Sequence, residues 1–294
     1  MQDQSKPAQA EAAPVHRVGI LGSGIMGSGI MEVAAASGHE VILRSRRQES
    51  ADATLAHLEK SLSRHVHKGR IDEEAAGATL ARATVTDDMD ALADCDLVIE
   101  SVVEDLDVKK SLFAELDRVC RPTTILTTNT STLPVVEMAM ATERPAQVCG
   151  LHFFNPAPVM SLVEVVRPLT ASDETIRAVT AFARSCGKDT VDVVDRAGFV
   201  VNALLFPYLN NAIHMLENGV ASAEGIDRAM KEACGFPMGP LALLDLVGLD
   251  TSLAILEALH NEFGDSNYAP APRLRRMVSA GLLGRKTGRG FFTY

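Results

Sequence analysis

Gly22-Ser23-Gly24-Ile25-Met26-Gly27 follows the apolar run Val18-Gly19-Ile20-Leu21 and leads into a helical pattern from Gly29 to Ser37. In that setting the first glycine permits a tight strand-to-helix turn and the second lets a pyrophosphate approach the backbone. The third lets the helix pack closely on its strand. The helix N-terminus then turns its dipole and its amides toward the anion, so the residues fit a nicotinamide or flavin dinucleotide. The next strand, Val41-Ile42-Leu43, runs into Arg44-Ser45-Arg46-Arg47, at the place where an acid ordinarily bonds the ribose 2′-hydroxyl. A carboxylate there would repel a 2′-phosphate, whereas Ser45 between Arg44 and Arg46 could receive it through charge-assisted hydrogen bonds. Each such bond is worth about 1.5 to 3 kcal/mol. The residues therefore favour NADP(H) over NAD(H), with a solvated basic turn as the alternative.

Hydride loss from a hydroxyl-bearing carbon needs a group that takes the hydroxyl proton, and histidine titrates in the right range. His152 stands out, because it ends an expected strand, Val148 to Leu151, on the edge where open parallel sheets expose their sites. Phe153-Phe154-Asn155-Pro156-Ala157-Pro158 follows, and Glu164 lies on the next expected strand. A returning strand could bring Glu164 beside the imidazole, where its charge would fix the tautomer and stabilise the imidazolium. From composition and spacing alone, such a histidine is more often a satisfied core or capping group and such a glutamate more often solvated.

These side chains need a sheet with helices around it, and the chain supplies one. Strands are expected near Val18, Val41, Val85, Leu97, Thr124 and Val148, with helices over Gly29 to Ser37, Ala51 to Lys68, Asp105 to Val119 and Pro134 to Met140. The alternation is a βαβ rhythm, with Thr132 as a candidate cap for the helix at Pro134. Leu162 to Val166, a helix from Asp173 to Cys186 and a strand from Thr190 to Val194 complete it. Only helical patterns continue: Phe199 to Glu217, one capped by Ser222, then Leu241 to Leu246, Thr251 to Glu262 and Arg273 to Ala280. The fold class is α/β, with a disordered tail at 1–14, a Rossmann-like dinucleotide-binding domain at 15–197 and a smaller all-α C-terminal domain at 198–294 for substrate and dimerisation.

The 294 residues carry a net charge of −10, which argues against nucleic acid as the main partner and confines any anion site to a local patch. The most apolar stretch, Phe199 to Leu216, contains Asn202, Asn210, Asn211 and His214 and reads as a buried soluble helix rather than a membrane span. The first fourteen residues lack the pattern of a secretory signal. Cysteines 95, 120, 149, 186 and 234 show no metal-ligand spacing and read as buried thiols of a cytoplasmic protein; no metal is expected.

Gly150-Leu151-His152-Phe153-Phe154-Asn155-Pro156, Met160 to Glu164, Asn129-Thr130-Ser131 and Gly198-Phe199-Val200-Val201-Asn202 closely resemble the L-3-hydroxyacyl-CoA dehydrogenases, particularly the bacterial 3-hydroxybutyryl-CoA enzymes. Pro237-Met238-Gly239-Pro240, Asp245 to Asp250 and Arg285-Lys286-Thr287-Gly288 extend the resemblance from about Val15 to Tyr294. It implies a catalytic His152 paired with Glu164, a Ser131 bonded to the substrate oxygen and an Asn202 holding the acyl group. Asn202 begins the second domain's long helix, which would put the site in the cleft between domains. The resemblance also implies cofactor contacts at Glu104, Lys109, Asn155 and Lys286, and coenzyme A contacts at Ser61 and Lys68. An acyl-CoA thioester substrate follows, and a homodimer is expected through the second domain, whose helices after Ser222 carry more apolar content than one small bundle needs. Against the family pattern, Ser45 replaces the acid of the NAD-dependent members. Two rivals stay open: a dehydrogenase on the same scaffold acting on an acyl-carrier-protein thioester or a sugar acid, and a dinucleotide-binding sensor or structural protein without turnover.

Overall fold

A computed structural model describes residues 14–294; the tail expected at residues 1–14 falls, except for Pro14, outside them. By internal packing the described residues divide into one unit of residues 14–130 and 134–195 and a second of residues 131–133 and 196–294.

The first unit is built on eight strands: β1 (Arg17–Leu21), β2 (Glu40–Arg44), β3 (Ala83–Thr86), β4 (Leu97–Glu100), β5 (Ile125–Thr128), β6 (Val148–Phe153), β7 (Leu162–Arg167) and β8 (Asp189–Val194). Their order is β3-β2-β1-β4-β5-β6-β7-β8. All neighbours are parallel except β6 and β7, which are antiparallel. The first six strands have the order of a Rossmann sheet, whose ligands bind beyond the carboxyl ends at the reversal between β1 and β4. The helices are α1 (Ile25–Ala36), α2 (Gln48–His67), α3 (Glu73–Ala81), α4 (Leu106–Val119), α5 (Val135–Ala139) and α6 (Asp173–Ser185).

Successive strand residues face opposite sides of a sheet, and here the two sides differ in chemistry. Val18, Ile20, Val41, Leu43, Leu97, Ile99, Leu151, Phe153, Val163 and Val165 belong to one apolar core with α1, α2 and α6. Alternation therefore assigns Glu100, His152 and Glu164 to the other side, where a Cβ on Gly150 would meet Val135 of α5.

The second unit is helical: α7 (Val201–Glu217), α8 (Ala223–Cys234), α9 (Pro240–Val247), α10 (Leu249–Phe263) and α11 (Pro272–Ser279). Phe206, Leu209, Ile213, Leu241, Leu244, Leu256, Leu259 and Leu274 form its core. Within it Asn210 is buried with both amide atoms used, donating to the Ala269 carbonyl and accepting from the Ala271 amide, 2.9 Å each. Among the described residues no helix is long and apolar enough to cross a membrane.

Several local expectations need correction. α3 was not foreseen, although Asp72 caps it by accepting from the Ala75 amide and Glu73 and Glu74 occupy its first turn. α1 and α2 each start three or four residues earlier than their apolar patterns implied. The Asp195 carboxylate, from the far end of the unit, caps α5, accepting from the amides of Val135 (3.0 Å) and Val136 (2.8 Å). Asp227 does the same for Leu241 and Ala242 at the start of α9. Four cysteines are buried, but Cys234 at the end of α8 is exposed. Burial pushes the Cys95 and Cys149 thiols up to about 12 and those of Cys120 and Cys186 up to about 11, which keeps them protonated and inert.

His39, just ahead of β2, is buried, with Nδ1 donating to the Val15 carbonyl and Nε2 3.0 Å from the Ser185 hydroxyl. Burial lowers its pKa below the ordinary 6.5. The neutral ring is the folded form, so its stabilisation is present above the unfolded value and is lost as pH falls toward the depressed folded one. Urea midpoints at pH 7 and pH 5.5 should fall further for the wild type than for His39→Phe; parallel loss would show that this ring does not set the acid sensitivity.

Candidate active site

The glycine turn at the end of β1 has the shape a pyrophosphate needs. Gly22 has φ +120°, and a Cβ there would lie 2.3 Å from the Ser101 carbonyl oxygen. A Cβ on Gly27 would lie 2.0 Å from the Gly22 carbonyl oxygen, so a side chain at either position would force the turn and α1 apart. At Gly24 the same addition would meet nothing within 4 Å, which leaves room for a ligand against the backbone. Gly24 is the N-cap of α1, and no acid stands in the first helical turn to compete with an anion. Ile25 is exposed at the lip, while Met26 is half-buried against the apolar core.

The turn is tied to the next strand, because the Gly22 amide donates to the Arg44 carbonyl at 2.9 Å and the hydroxyls of Ser23 and Ser45 are 2.8 Å apart. Ser45 is buried and Arg46 exposed. The Arg44 guanidinium is turned to the Asp87 carbonyl, 3.1 Å from Nε. The cradle thus fits a dinucleotide, and the place where an acid would meet a ribose is held by a serine.

At the carboxyl ends of β4 and β5 lies a polar cluster that the sequence reading recognised only in part. Glu100 is fully buried and accepts from the Val102 amide (2.7 Å), the Thr128 hydroxyl (2.7 Å) and the Lys109 ammonium (2.6 Å). Lys109, equally buried, also lies 3.3 Å from Glu104, whose carboxylate takes a hydrogen bond from Thr130. Lys109 shares a face of α4 with Phe113 and Leu116, so its long stem passes through apolar packing to the carboxylate. Glu100 was missed, though an acid closing the run Leu97-Val98-Ile99 was the available signal.

His152 and Glu164 are directly opposite in the antiparallel register of β6 and β7. The imidazole Nδ1 is 2.8 Å from Glu164 Oε2, with both residues buried. The Phe154 ring lies against the imidazole at 4.6 Å between centroids. Asn129, after β5, accepts from the Phe153 amide at 2.8 Å and fixes the strand end beside it. A carboxylate at Nδ1 holds the ring in one orientation and directs any proton exchange with a ligand to Nε2. Asn155 is exposed, and its bond to Pro156 is cis.

Ser61, on α2, is buried and donates to Glu32 at 3.3 Å, and Lys68 is the exposed C-cap of the same helix. α2 and α3 border an open groove of about 430 Å³ lined by Leu62, Ser63, Val66, His67, Ala76 and Leu80. Ser131 and Asn202 belong to the second unit, as does Lys286, which is paired there with Asp250.

Comparison with known proteins gives two matching family models. The NAD binding domain of 3-hydroxyacyl-CoA dehydrogenase matches residues 17–196, and the C-terminal domain of 3-hydroxyacyl-CoA dehydrogenase matches residues 198–294. The chain is 47% identical over 278 residues to a probable 3-hydroxybutyryl-CoA dehydrogenase of Deinococcus radiodurans, covering 95% of this chain and 100% of that one. It is 41% identical to the human mitochondrial hydroxyacyl-coenzyme A dehydrogenase, covering 98% and 94%. Among solved structures, FadB2 of M. tuberculosis aligns with a TM-score of 0.94 at 47% identity, over 96% of this chain and all of that one. (S)-3-hydroxybutyryl-CoA dehydrogenase PaaH1 of Ralstonia eutropha aligns with a TM-score of 0.92 at 41% identity, over 95% and 99%.

The buried Glu100–Lys109 pair makes a stability prediction. Glu100→Gln removes the nearer, fully buried partner of the Lys109 ammonium and leaves it only the more distant Glu104, and should cost about 3 kcal/mol in urea unfolding. Glu100→Gln with Lys109→Met should recover a large part of that loss; equal stability of the single and double variants would show that the pair is not what is being broken.

Proposed function

The chain belongs to the 3-hydroxyacyl-CoA dehydrogenase family, and on that premise we propose that it interconverts (S)-3-hydroxyacyl-CoA and 3-oxoacyl-CoA thioesters of short chain. The preferred pair is 3-hydroxybutyryl-CoA and acetoacetyl-CoA. The observation that carries the reading is the buried His152–Glu164 pair at the same sheet edge as a glycine turn open to a dinucleotide. Gly22 to Gly27 would hold the pyrophosphate, with Glu104, Lys109, Asn155 and Lys286 as further contacts. When bound, the nicotinamide supplies or accepts the hydride at C3.

In the oxidising direction His152 takes the hydroxyl proton at Nε2, and in the reducing direction it returns that proton to the carbonyl oxygen. Glu164 bonds Nδ1 throughout, which makes the imidazolium affordable in a dry site and keeps the second nitrogen aimed. Ser131 and Asn202 orient the substrate oxygens, acting through position and electrostatic complementarity. Ser61 and Lys68 on α2 would receive the coenzyme A handle. His152→Ala should lower kcat by about 10² to 10⁴ while the dissociation constant of the cofactor stays close to wild type. Near-normal turnover by this variant would remove His152 from the role of base.

Ser45 in place of an acid, with Arg44 and Arg46 beside it, supports a preference for NADP(H). On acetoacetyl-CoA, kcat/KM with NADPH should exceed that with NADH by about tenfold, the worth of one good charge-assisted bond, and Ser45→Asp should reverse the order. Equal or NADH-favouring values for the wild type would overturn the preference.

A homodimer is proposed on the second unit, where Leu204 (72% exposed) and Met215 (46%) lie along one stripe of α7 with Tyr208 between them. The Tyr208 hydroxyl is buried with no hydrogen-bond partner among the described residues. The five free thiols support a reducing, cytoplasmic setting.

A further inference from the structure

Lys188, in the turn between α6 and β8, is 8% exposed, and its ammonium donates to the carbonyl oxygens of Ala157 and Met160 at 2.7 Å each. Among the described residues no carboxylate pairs with it, and burial draws its pKa below the ordinary lysine value. A cation held out of water by two neutral acceptors is costly, and an apolar side chain of the same length would occupy the space at lower cost. What the charge provides is three donors on one atom, enough to hold two separate carbonyls at once.

Those carbonyls belong to the segment 154–161, which joins the strand of His152 to the strand of Glu164. Inside it the amides of Val159 and Met160 both donate to the Pro156 carbonyl at 3.0 Å. At its start the Phe154 ring lies on the imidazole. In its middle, Ala157 and Pro158 close on α1 so tightly that a Cβ on Gly29 would meet them at 3.2 and 3.3 Å. At its end the Ser161 carbonyl accepts from the Asp189 amide, the residue after Lys188. The segment thus touches the imidazole at one point and the glycine-turn helix at another, and the ammonium grips it between its two bounding strands.

We propose that Lys188 is a positioning residue for the proton transfer: by fixing Ala157 and Met160 it holds Phe154 against the His152 ring and keeps the segment seated on α1. The role rests on the function proposed above, and the experiment separates the two. In Lys188→Met, amide hydrogen exchange across 154–161 should accelerate while β6 and β7 stay protected. Turnover of acetoacetyl-CoA should fall about tenfold to a hundredfold, the cost of a slightly misplaced catalytic group. The KM for the thioester should change little, and the acidic limb of the pH–rate profile should move. Lys188→Gln, which keeps an N–H donor, should recover part of each effect. In a Phe154→Ala background Lys188→Met should cost less than in the wild type, because both act through one segment.

Unchanged exchange in 154–161 overturns the proposal, as do independent, multiplying losses in the double variant or an unmoved pH profile. If Lys188→Met does not fold, Lys188→Gln carries the exchange and pH measurements with the same criteria. A wild-type protein inert on the thioesters would sink the functional reading instead, and the exchange measurement would still decide whether Lys188 holds the segment.

Discussion

One reversal of direction in the sheet decides what the rest of the first unit can do. Six parallel strands bring their carboxyl ends to one edge, but a parallel neighbour cannot follow β6 after so short a connection, since parallel pairs need a crossover of a dozen residues or more. The chain instead turns back, and β7 pairs antiparallel with His152 opposite Glu164. A slip of one residue would send every side chain of β7 to the other face. Val163 and Val165 in the apolar core oppose that slip, so the hydrophobic packing of one face fixes the acid beside the imidazole on the other.

The same division governs the buried charges. The face toward α1, α2 and α6 is apolar, whereas the opposite face carries Glu100, Lys109, His152 and Glu164 in buried pairs. Each pair is expensive to desolvate, and Glu100 with Lys109 rests on further hydrogen bonds, those from Val102 and Thr128 to Glu100. Charges kept so close to the carboxyl ends of the strands make the edge rigid in the direction where a ligand must be met by fixed dipoles rather than by water.

What could be read from the chain beforehand was whatever depends on near neighbours. Gly22 and Gly27 announce their roles because the turn, the strand and the helix are contiguous, and the alternation of strands and helices gave the sheet and its helical successor. The α3 helix is marked by Asp72-Glu73-Glu74, a cap and an acidic first turn, but its apolar periodicity is too weak to announce it. Distant partnerships were not readable. Asp195 caps α5 from the far end of the unit, and Lys188 reaches carbonyls about thirty residues back. In each case the donor and acceptor meet only through the folded sheet, and nothing in local spacing marks them. For His152 and Glu164, local spacing favours a core histidine and a solvated glutamate, only the family resemblance points to the pair, and the antiparallel register is what brings the two within a hydrogen bond.

The uneven fate of the five cysteines has a practical side. The chain contains no tryptophan, so it offers little intrinsic fluorescence with which to follow ligands. Four thiols are sealed in the first unit and held protonated, while Cys234 stands in the open at the end of α8. A maleimide dye would therefore attach at a single address on the helical unit of the native protein, without any engineered substitution, and provide the optical reporter that the aromatic residues do not.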